Sequence, residues 1–171
     1  MSNSSIELFS KLNTSGFIER GNRPIIIADN IRTPENMGSI LRLAGNIGAE
    51  HTYFIADPTQ RFKNHKITRT ASGASTKVDW KIIQKQDLQN VIPDTYEIVA
   101  LETSSDSINI NTFKFPEKTI FIVGNEVVGI SDEVLSMAHH KIHIPIPGPI
   151  SSLNVTHALS VALFEWLRQI V

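Results

Sequence analysis

The sequence predicts an α/β fold, a mostly parallel sheet flanked by helices, and three observations carry that prediction. Short β-branched runs recur along the chain, as in Ile25-Ile26-Ile27 and Thr119-Ile120-Phe121-Ile122-Val123. Segments with apolar residues at helical spacing lie between them, and the last runs from about Asn154 to the C-terminus. Strands that alternate with helices at this spacing pair in parallel through crossovers.

Ile6, Leu8, Phe9 and Leu12 have the spacing of a short N-terminal helix. Pro24 to Ala28 reads as the first buried strand, ending at Asp29-Asn30. Thr33-Pro34-Glu35 is a helix start, with a capping hydroxyl, proline at the first helical position and an acid in the first turn. Ile40, Leu43, Ala44 and Ile47 carry that helix to Gly48. His51 to Ala56 is a second strand, closed by Asp57-Pro58. Residues 61 to 77 are basic with weak periodicity, and no element is assigned there.

Val78 to Ile83 reads as a strand, Asp87 to Ile92 as a short helix ended by Pro93, and Tyr96 to Leu101 as a strand. Residues 102 to 118 are the longest irregular connection. The run Thr119 to Val123 is the clearest strand, and Gly124 ends it. Asp132 to Ala138 suits a helix with acids in its first turn, which favours the dipole. Lys141 to Ile146 returns as a strand. Val155, Leu159, Ala162, Leu163, Trp166 and Ile170 form the apolar stripe of the last helix.

With 171 residues the chain supports one domain with a real core. A formal charge of −1 gives no long-range attraction to a polyanion, so a nucleic-acid role has to rest on a local patch. Residues 61 to 86 supply one: Arg61, Lys63, Lys66, Arg69, Lys77, Lys81 and Lys85 face a single acid, Asp79. Cysteine is absent, which excludes disulfides, thiolate nucleophiles and Cys-based zinc sites and is compatible with a reducing cytoplasm. The first twenty residues have no continuous apolar core and do not read as a signal peptide. No apolar run reaches membrane-spanning length. His139, His140 and His143 have no nearby carboxylate or cysteine to complete a site, so no metal is expected.

Three motifs remain. Asn36-x-Gly38-x-x-x-Arg42 opens the first helix, and its glycine permits close approach of backbone or a partner. Taken alone it is an ordinary helix start with an exposed arginine. Gly124-Asn125-Glu126-Val127-Val128-Gly129 follows the strongest strand, where open α/β sheets bind ligands. Its carboxylate argues against a phosphate, and no G-x-G-x-x-G supports a Rossmann site. The third is Ile144-Pro145-Ile146-Pro147-Gly148-Pro149, followed by Ser152-Leu153-Asn154. The prolines remove three donors and build a rigid wall. Ser152 or Asn154 could simply cap the last helix.

In order and spacing these motifs, with Ile26-Ile27-Ala28-Asp29-Asn30 and Ala71-Ser72-Gly73-Ala74, resemble the SpoU/TrmH family of RNA ribose 2′-O-methyltransferases, within the SPOUT superfamily. The resemblance covers nearly the whole chain from about residue 24. Ile146 stands where the family usually has methionine, and the substrate-binding extension of several members is missing. The expectation is therefore a single catalytic domain over residues 1–171, with 1–23 as a short extension and no separate RNA-binding domain.

The resemblance implies a deep C-terminal trefoil knot, S-adenosylmethionine as cofactor and a homodimer in the cytoplasm. It implies that Gly124, Asn125, Glu126, Gly129, Ile144, Pro145, Ile146, Gly148, Ser152, Leu153 and Asn154 hold the cofactor. Arg42 is implied as the catalytic residue, with Asn36, Glu126, Ser152 and Asn154 orienting it, the ribose and the cofactor. A guanidinium with a pKa above about 12 is a poor base, so its expected role is to stabilise charge developing on the ribose oxygen. Arg42, Arg61, Lys63, Lys66 and Arg69 are the expected RNA contacts, tRNA is favoured over rRNA, and no membrane partner is expected. The alternatives are a non-catalytic RNA- or ribosome-binding protein and a methyltransferase acting on a base or a protein. Retention of Arg42, Glu126 and Asn154 together counts against mere binding.

Overall fold

A computed structural model describes residues 21–171. The helix expected over Ile6 to Leu12 lies outside the described residues. The elements run β1 (Ile25–Asp29), α1 (Pro34–Ile47), β2 (His51–Ile55), α2 (Asn64–Ala71), β3 (Trp80–Ile83), β4 (Glu97–Leu101), β5 (Ile108–Asn109), β6 (Thr119–Val123), α3 (Asp132–Leu135), β7 (His140–His143) and α4 (Val155–Ile170). Two 3-10 turns, Ala74–Thr76 and Lys85–Val91, lie before and after β3.

The seven strands among the described residues join one sheet in the order β3-β2-β1-β6-β4-β7-β5. Every pairing is parallel. The central strands β1 and β6 are buried along their full length, as their unbroken apolar runs require. β7 enters between β4 and β5, two strands that precede it in the chain. The loop that follows it, and those after β4 and β6, therefore meet at one end of the sheet.

Alternate residues of each strand feed two cores. Ile26, Ala28, Phe54, Val99, Phe121 and Val123 pack with Met37, Leu41, Ile67, Leu159, Leu163 and Trp166 of α1, α2 and α4. Trp166 is fully buried and meets Phe121 edge-on at 6.2 Å. Its indole N–H donates to Pro116 O at 3.1 Å. Ile25, Ile27, Ile98, Ile120 and Ile122 face the other way, onto Leu88, Tyr96, Ile130 and Val134. Each large aliphatic side chain buried in this way contributes about 1.5–3 kcal/mol.

The start and stop of α1 follow its sequence. Thr33 caps it, accepting from the Asn36 amide at 3.4 Å, and Gly48 ends it at φ +73°. A Cβ on Gly38 would stand 2.6 Å from Ile67 O and 2.7 Å from Thr70 Cβ, so the close approach this glycine permits is taken by α2.

The structure differs from the sequence expectation at several boundaries. Residues 61–77 contain α2, whose eight residues bury only Ile67 and Ala71 and whose start has no side-chain cap. That left little periodicity to read. The segment near Asp87 is a 3-10 turn from Lys85, not an α-helix. The helix from Asp132 stops at Leu135, and the chain turns to place the His139 amide on Ile98 O. β7 spans His140–His143 rather than Lys141 to Ile146, because Pro145 and Pro147 have no N–H for a ladder. The 102–118 connection carries β5 at the sheet edge.

Candidate active site

The loop after β6 is built around its two glycines and Asn125. A Cβ on Gly124 would lie 2.2 Å from Gly129 C and 2.3 Å from Ile130 N. Gly129 adopts φ +73°, a conformation that L side chains rarely take. Asn125 and Gly129 exchange backbone hydrogen bonds at 2.9 and 3.0 Å. The buried Asn125 amide donates to Asn30 O at 2.8 Å and accepts from the amides of Val127 and Val128. Its side chain holds the loop in shape. At the loop's far end the Ser131 amide and hydroxyl both donate to Asp29 Oδ2, at 2.8 and 2.6 Å.

Against this loop lies a cleft of about 240 Å³ at the ends of β4, β6 and β7. Of the residues implied as cofactor-binding, Gly124, Asn125, Glu126, Gly129, Ile144, Ile146, Ser152 and Leu153 line it. Pro145, Gly148 and Asn154 are not among the lining residues. A Cβ on Gly148 would meet nothing within 4 Å, so no contact requires that glycine.

The cleft suits S-adenosylmethionine by its own chemistry. Leu101, Val123, Ile142, Ile144, Ile146 and Val155 give it an apolar wall for an adenine, while Glu102 and Glu126 are its only carboxylates among the described residues. Among the described residues no lysine or arginine lines it, which disfavours an anion and suits a sulfonium and an ammonium. Glu102 was not singled out in the sequence. It accepts from the Ile130 amide through Oε2 and the Thr103 amide through Oε1, each at 3.0 Å. Its position just past β4 in a parallel sheet was the available signal.

At the mouth of the cleft three distant side chains join. Asn36 Nδ2 donates to Glu126 Oε1 in a short hydrogen bond. The Thr33 hydroxyl donates to the same oxygen at 3.2 Å. Asn154 Nδ2 donates to Asn36 Oδ1 at 3.3 Å. Asn154 Oδ1 meanwhile accepts from the Thr156 amide at 2.9 Å, capping α4. Capping and site-building are thus one residue's two ends. Ser152 is exposed and has no hydrogen bond among the described residues.

Arg42 stands apart from this cluster. It lies six residues along α1 from Asn36, about 9 Å of axial rise. It is exposed, lines no part of the cleft and has no ion pair among the described residues. Of the other expected RNA contacts, Lys66 is paired with Glu35 at 2.9 Å and Arg61 donates to Pro58 O at 3.1 Å. The Lys66 contact holds the Glu35 carboxyl below its usual range. Lys63 precedes α2 and Arg69 is exposed on it. The three histidines go separate ways: His139 accepts from the Ile98 amide, His140 meets Glu97, and His143 meets Ser107.

The sequence profile described as the SpoU rRNA Methylase family matches residues 23–164. The chain belongs to that family. A tRNA (guanosine(18)-2′-O)-methyltransferase of Aquifex aeolicus is 32% identical over 150 residues, which are 85% of this chain and 69% of the relative. The crystal structure of an Aquifex aeolicus TrmH/SpoU tRNA modifying enzyme superposes with a TM-score of 0.75 at 26% identity, over 95% of this chain and 84% of that one. An AdoMet-bound rRNA methyltransferase of Sinorhizobium meliloti shares the fold, with a TM-score of 0.77 at 24% identity over 87% of this chain and 57% of that one. The chain spans about half the length of some other curated relatives that it matches. Among the described residues, no helix is long and apolar enough to cross a membrane.

Proposed function

We propose that this SpoU-family chain is an S-adenosylmethionine-dependent RNA methyltransferase, acting on a ribose 2′-hydroxyl. The observation that carries this reading is the linked set Asn36, Glu126 and Asn154 at the mouth of a cleft that, among the described residues, has two carboxylates and no lysine or arginine. The bound cofactor supplies an electrophilic methyl group on a positively charged sulfur. Leu101, Ile144 and Leu153 shelter its apolar part from water, and Glu102 and Glu126 offset its positive charge.

A ribose hydroxyl is a weak nucleophile, so the protein's contribution is position and charge stabilisation. Asn36 and Asn154 fix Glu126, and Ser152 offers a free hydroxyl at the cleft for the ribose or the cofactor. Arg42 stabilises negative charge developing on the ribose oxygen, while the proton leaves through water or an RNA phosphate. Because Arg42 stands outside the cleft of its own chain, the reading includes a homodimer in which the active site lies near the subunit interface. Val161 and Phe164, 44% and 49% exposed on α4, are apolar surface available to such contacts. Trp166, on the same helix, is wholly in the core and gives nothing to that surface.

The substrate we favour is a tRNA, in the cytoplasm, by likeness to the Aquifex enzyme and the absence of cysteine. The test is to incubate the purified protein with methyl-labelled S-adenosylmethionine and unfractionated tRNA or rRNA. Nuclease-resistant 2′-O-methyl dinucleotides are the expected product. Demonstrable cofactor binding with no transfer to either RNA would instead support a binding protein that retains the fold.

A further inference from the structure

A groove of about 550 Å³ begins at Arg42 and runs along the C-terminal half of α1. Arg23, Arg42 and Lys77 line it, together with Asn46, Ser72 and Gly73. Among the described residues none of the three cations has an ion pair. Two acids also border the groove, and both are engaged. Glu50 Oε2 accepts from the Tyr96 hydroxyl at 2.8 Å, and Asp79 Oδ2 lies 2.9 Å from His51 Nδ1. Burial, and then the Glu50 contact, push the Tyr96 phenol up, so it keeps its proton and continues to donate.

We infer that this groove is the track of the substrate RNA's phosphate backbone, leading to Arg42 and from there to the Asn36–Glu126–Asn154 cluster. The inference rests on the RNA methyltransferase reading and adds where the strand runs. Phosphates are the match because, among the described residues, unpaired cations, a hydroxyl and an amide face the groove while no aromatic ring lines it for bases to stack on. Gly73 is required there by its φ of +84°, which L side chains rarely adopt, and not by space, since a Cβ would meet nothing within 4 Å.

A second depression of about 310 Å³ continues the path. Arg42 is shared by both, and Ser39, Thr70, Thr156 and His157 line this second part. The Thr156 hydroxyl donates to Asn154 Oδ1 at 2.6 Å, which ties the depression to the cluster at the cleft mouth. Of the basic residues expected from sequence to hold RNA, Arg42 lines both depressions, and Arg61, Lys63, Lys66 and Arg69 line neither.

The test uses the full chain, a fluorescein-labelled single-stranded oligouridylate and a salt titration. In the Arg23→Ala/Lys77→Ala variant two phosphate contacts are lost, so the slope of log Kd against log salt falls by about 1.4, at roughly 0.7 per single-strand contact. The Kd for the oligonucleotide rises by an order of magnitude or more, and the KM for unfractionated tRNA rises with it, while cofactor affinity is retained. Arg23→Gln/Lys77→Gln keeps the aliphatic stems and gives the same slope if the alanine pair disturbs folding. A control pair outside the groove, Lys81→Ala/Lys114→Ala, leaves the slope at the wild-type value. An unchanged slope in both groove variants, or an equal fall in the control pair, overturns the inference. Wild-type protein that binds oligouridylate through this groove yet methylates no RNA would sink the methyltransferase reading and leave the groove standing.

Discussion

The side chains of Asn36 and Asn154, 118 residues apart in the chain, meet in a hydrogen bond of 3.3 Å. Asn36 belongs to the first turn of α1 and Asn154 caps α4, so the bond links the two helices at the cleft mouth. Through its amide nitrogen Asn36 also holds Glu126. One amide therefore fixes the relative placement of all three groups.

Asn36→Ala removes both links at once. A misplacement of about 1 Å in a site that works by orientation costs about 100-fold in rate. We expect single-turnover methyl transfer to fall by about that factor. Stability should fall by only about 1–2 kcal/mol, since two hydrogen bonds are lost and both are part-exposed. A thermal melt and a single-turnover assay on the same preparation check both halves. Full activity in the variant would remove the cluster from the mechanism.

Arg42→Ala should behave differently from any cleft substitution. Arg42 is exposed and without an ion pair among the described residues, and it lies off the cofactor cleft. Stability should shift by less than about 0.5 kcal/mol, as for surface positions without special contacts. Cofactor affinity by titration calorimetry should be retained within experimental error. Transfer should fall by at least about 100-fold, the usual cost of losing a donor that stabilises developing charge. Loss of cofactor binding in this variant would place Arg42 in the wrong role.

The two glycines of the 124–129 loop should separate by mechanism. Gly124→Ala drives a methyl group to 2.2 Å from backbone atoms that cannot swing away. Its cost should reach about 3 kcal/mol or more, the upper range for overpacking. In Gly129→Ala the nearest atom is Glu102 Oε2 at 2.7 Å, the end of a movable side chain. There the cost is about 1–2 kcal/mol for a non-glycine residue in a left-handed conformation, plus displacement of Glu102 from the Ile130 amide. Denaturant melts should rank Gly124→Ala as the more damaging. Cofactor affinity should fall in both, because Glu102 and the loop line one cleft.

Most of the fold was legible because its centre is built from local signals. The runs at β1 and β6 are apolar enough to specify buried strands, and Thr33, Pro34 and Gly48 bracket α1 without tertiary help. The misread boundaries depend on contacts between distant segments. α2 buries two residues of eight and is held by Gly38 of α1, a relationship that no window of sequence contains. β7 ends where prolines deny it a ladder, and its insertion between β4 and β5 is a property of topology alone. At the site, Glu126 and Asn154 stood in recognisable motifs. Glu102 stood in none, and the groove through Arg23 and Lys77 joins residues that belong to no common pattern.

Acid should weaken the protein through carboxylates that charged partners hold ionised. The Arg168 guanidinium and then the Gln169 amide hold the Glu165 carboxyl down from 4.5 to about 2. Lys141 and then Ser104 hold Asp106 down from 3.8 to about 2. A folded-state pKa below the unfolded value means that the unfolded chain binds protons first, so stability is lost as pH falls. The contribution is fully present above about pH 5 and is removed progressively from about pH 4.5 down to 2. Glu165 also orients Gln169, which donates to Phe113 O and accepts from the Phe115 amide, each at 3.0 Å. Protonation there loosens the seam between α4 and the segment before β6. The Asp106 side chain is 62% exposed and that of Glu165 20%, so the Asp106 effect is small and screened by added salt, and the Glu165 effect is the larger of the two. Melting temperatures recorded from pH 7 to 2 should be flat above pH 5 and fall below it. Glu165→Gln should start lower at pH 7 and fall less steeply below pH 4.5, and parallel curves for variant and wild type would assign the acid sensitivity to other groups.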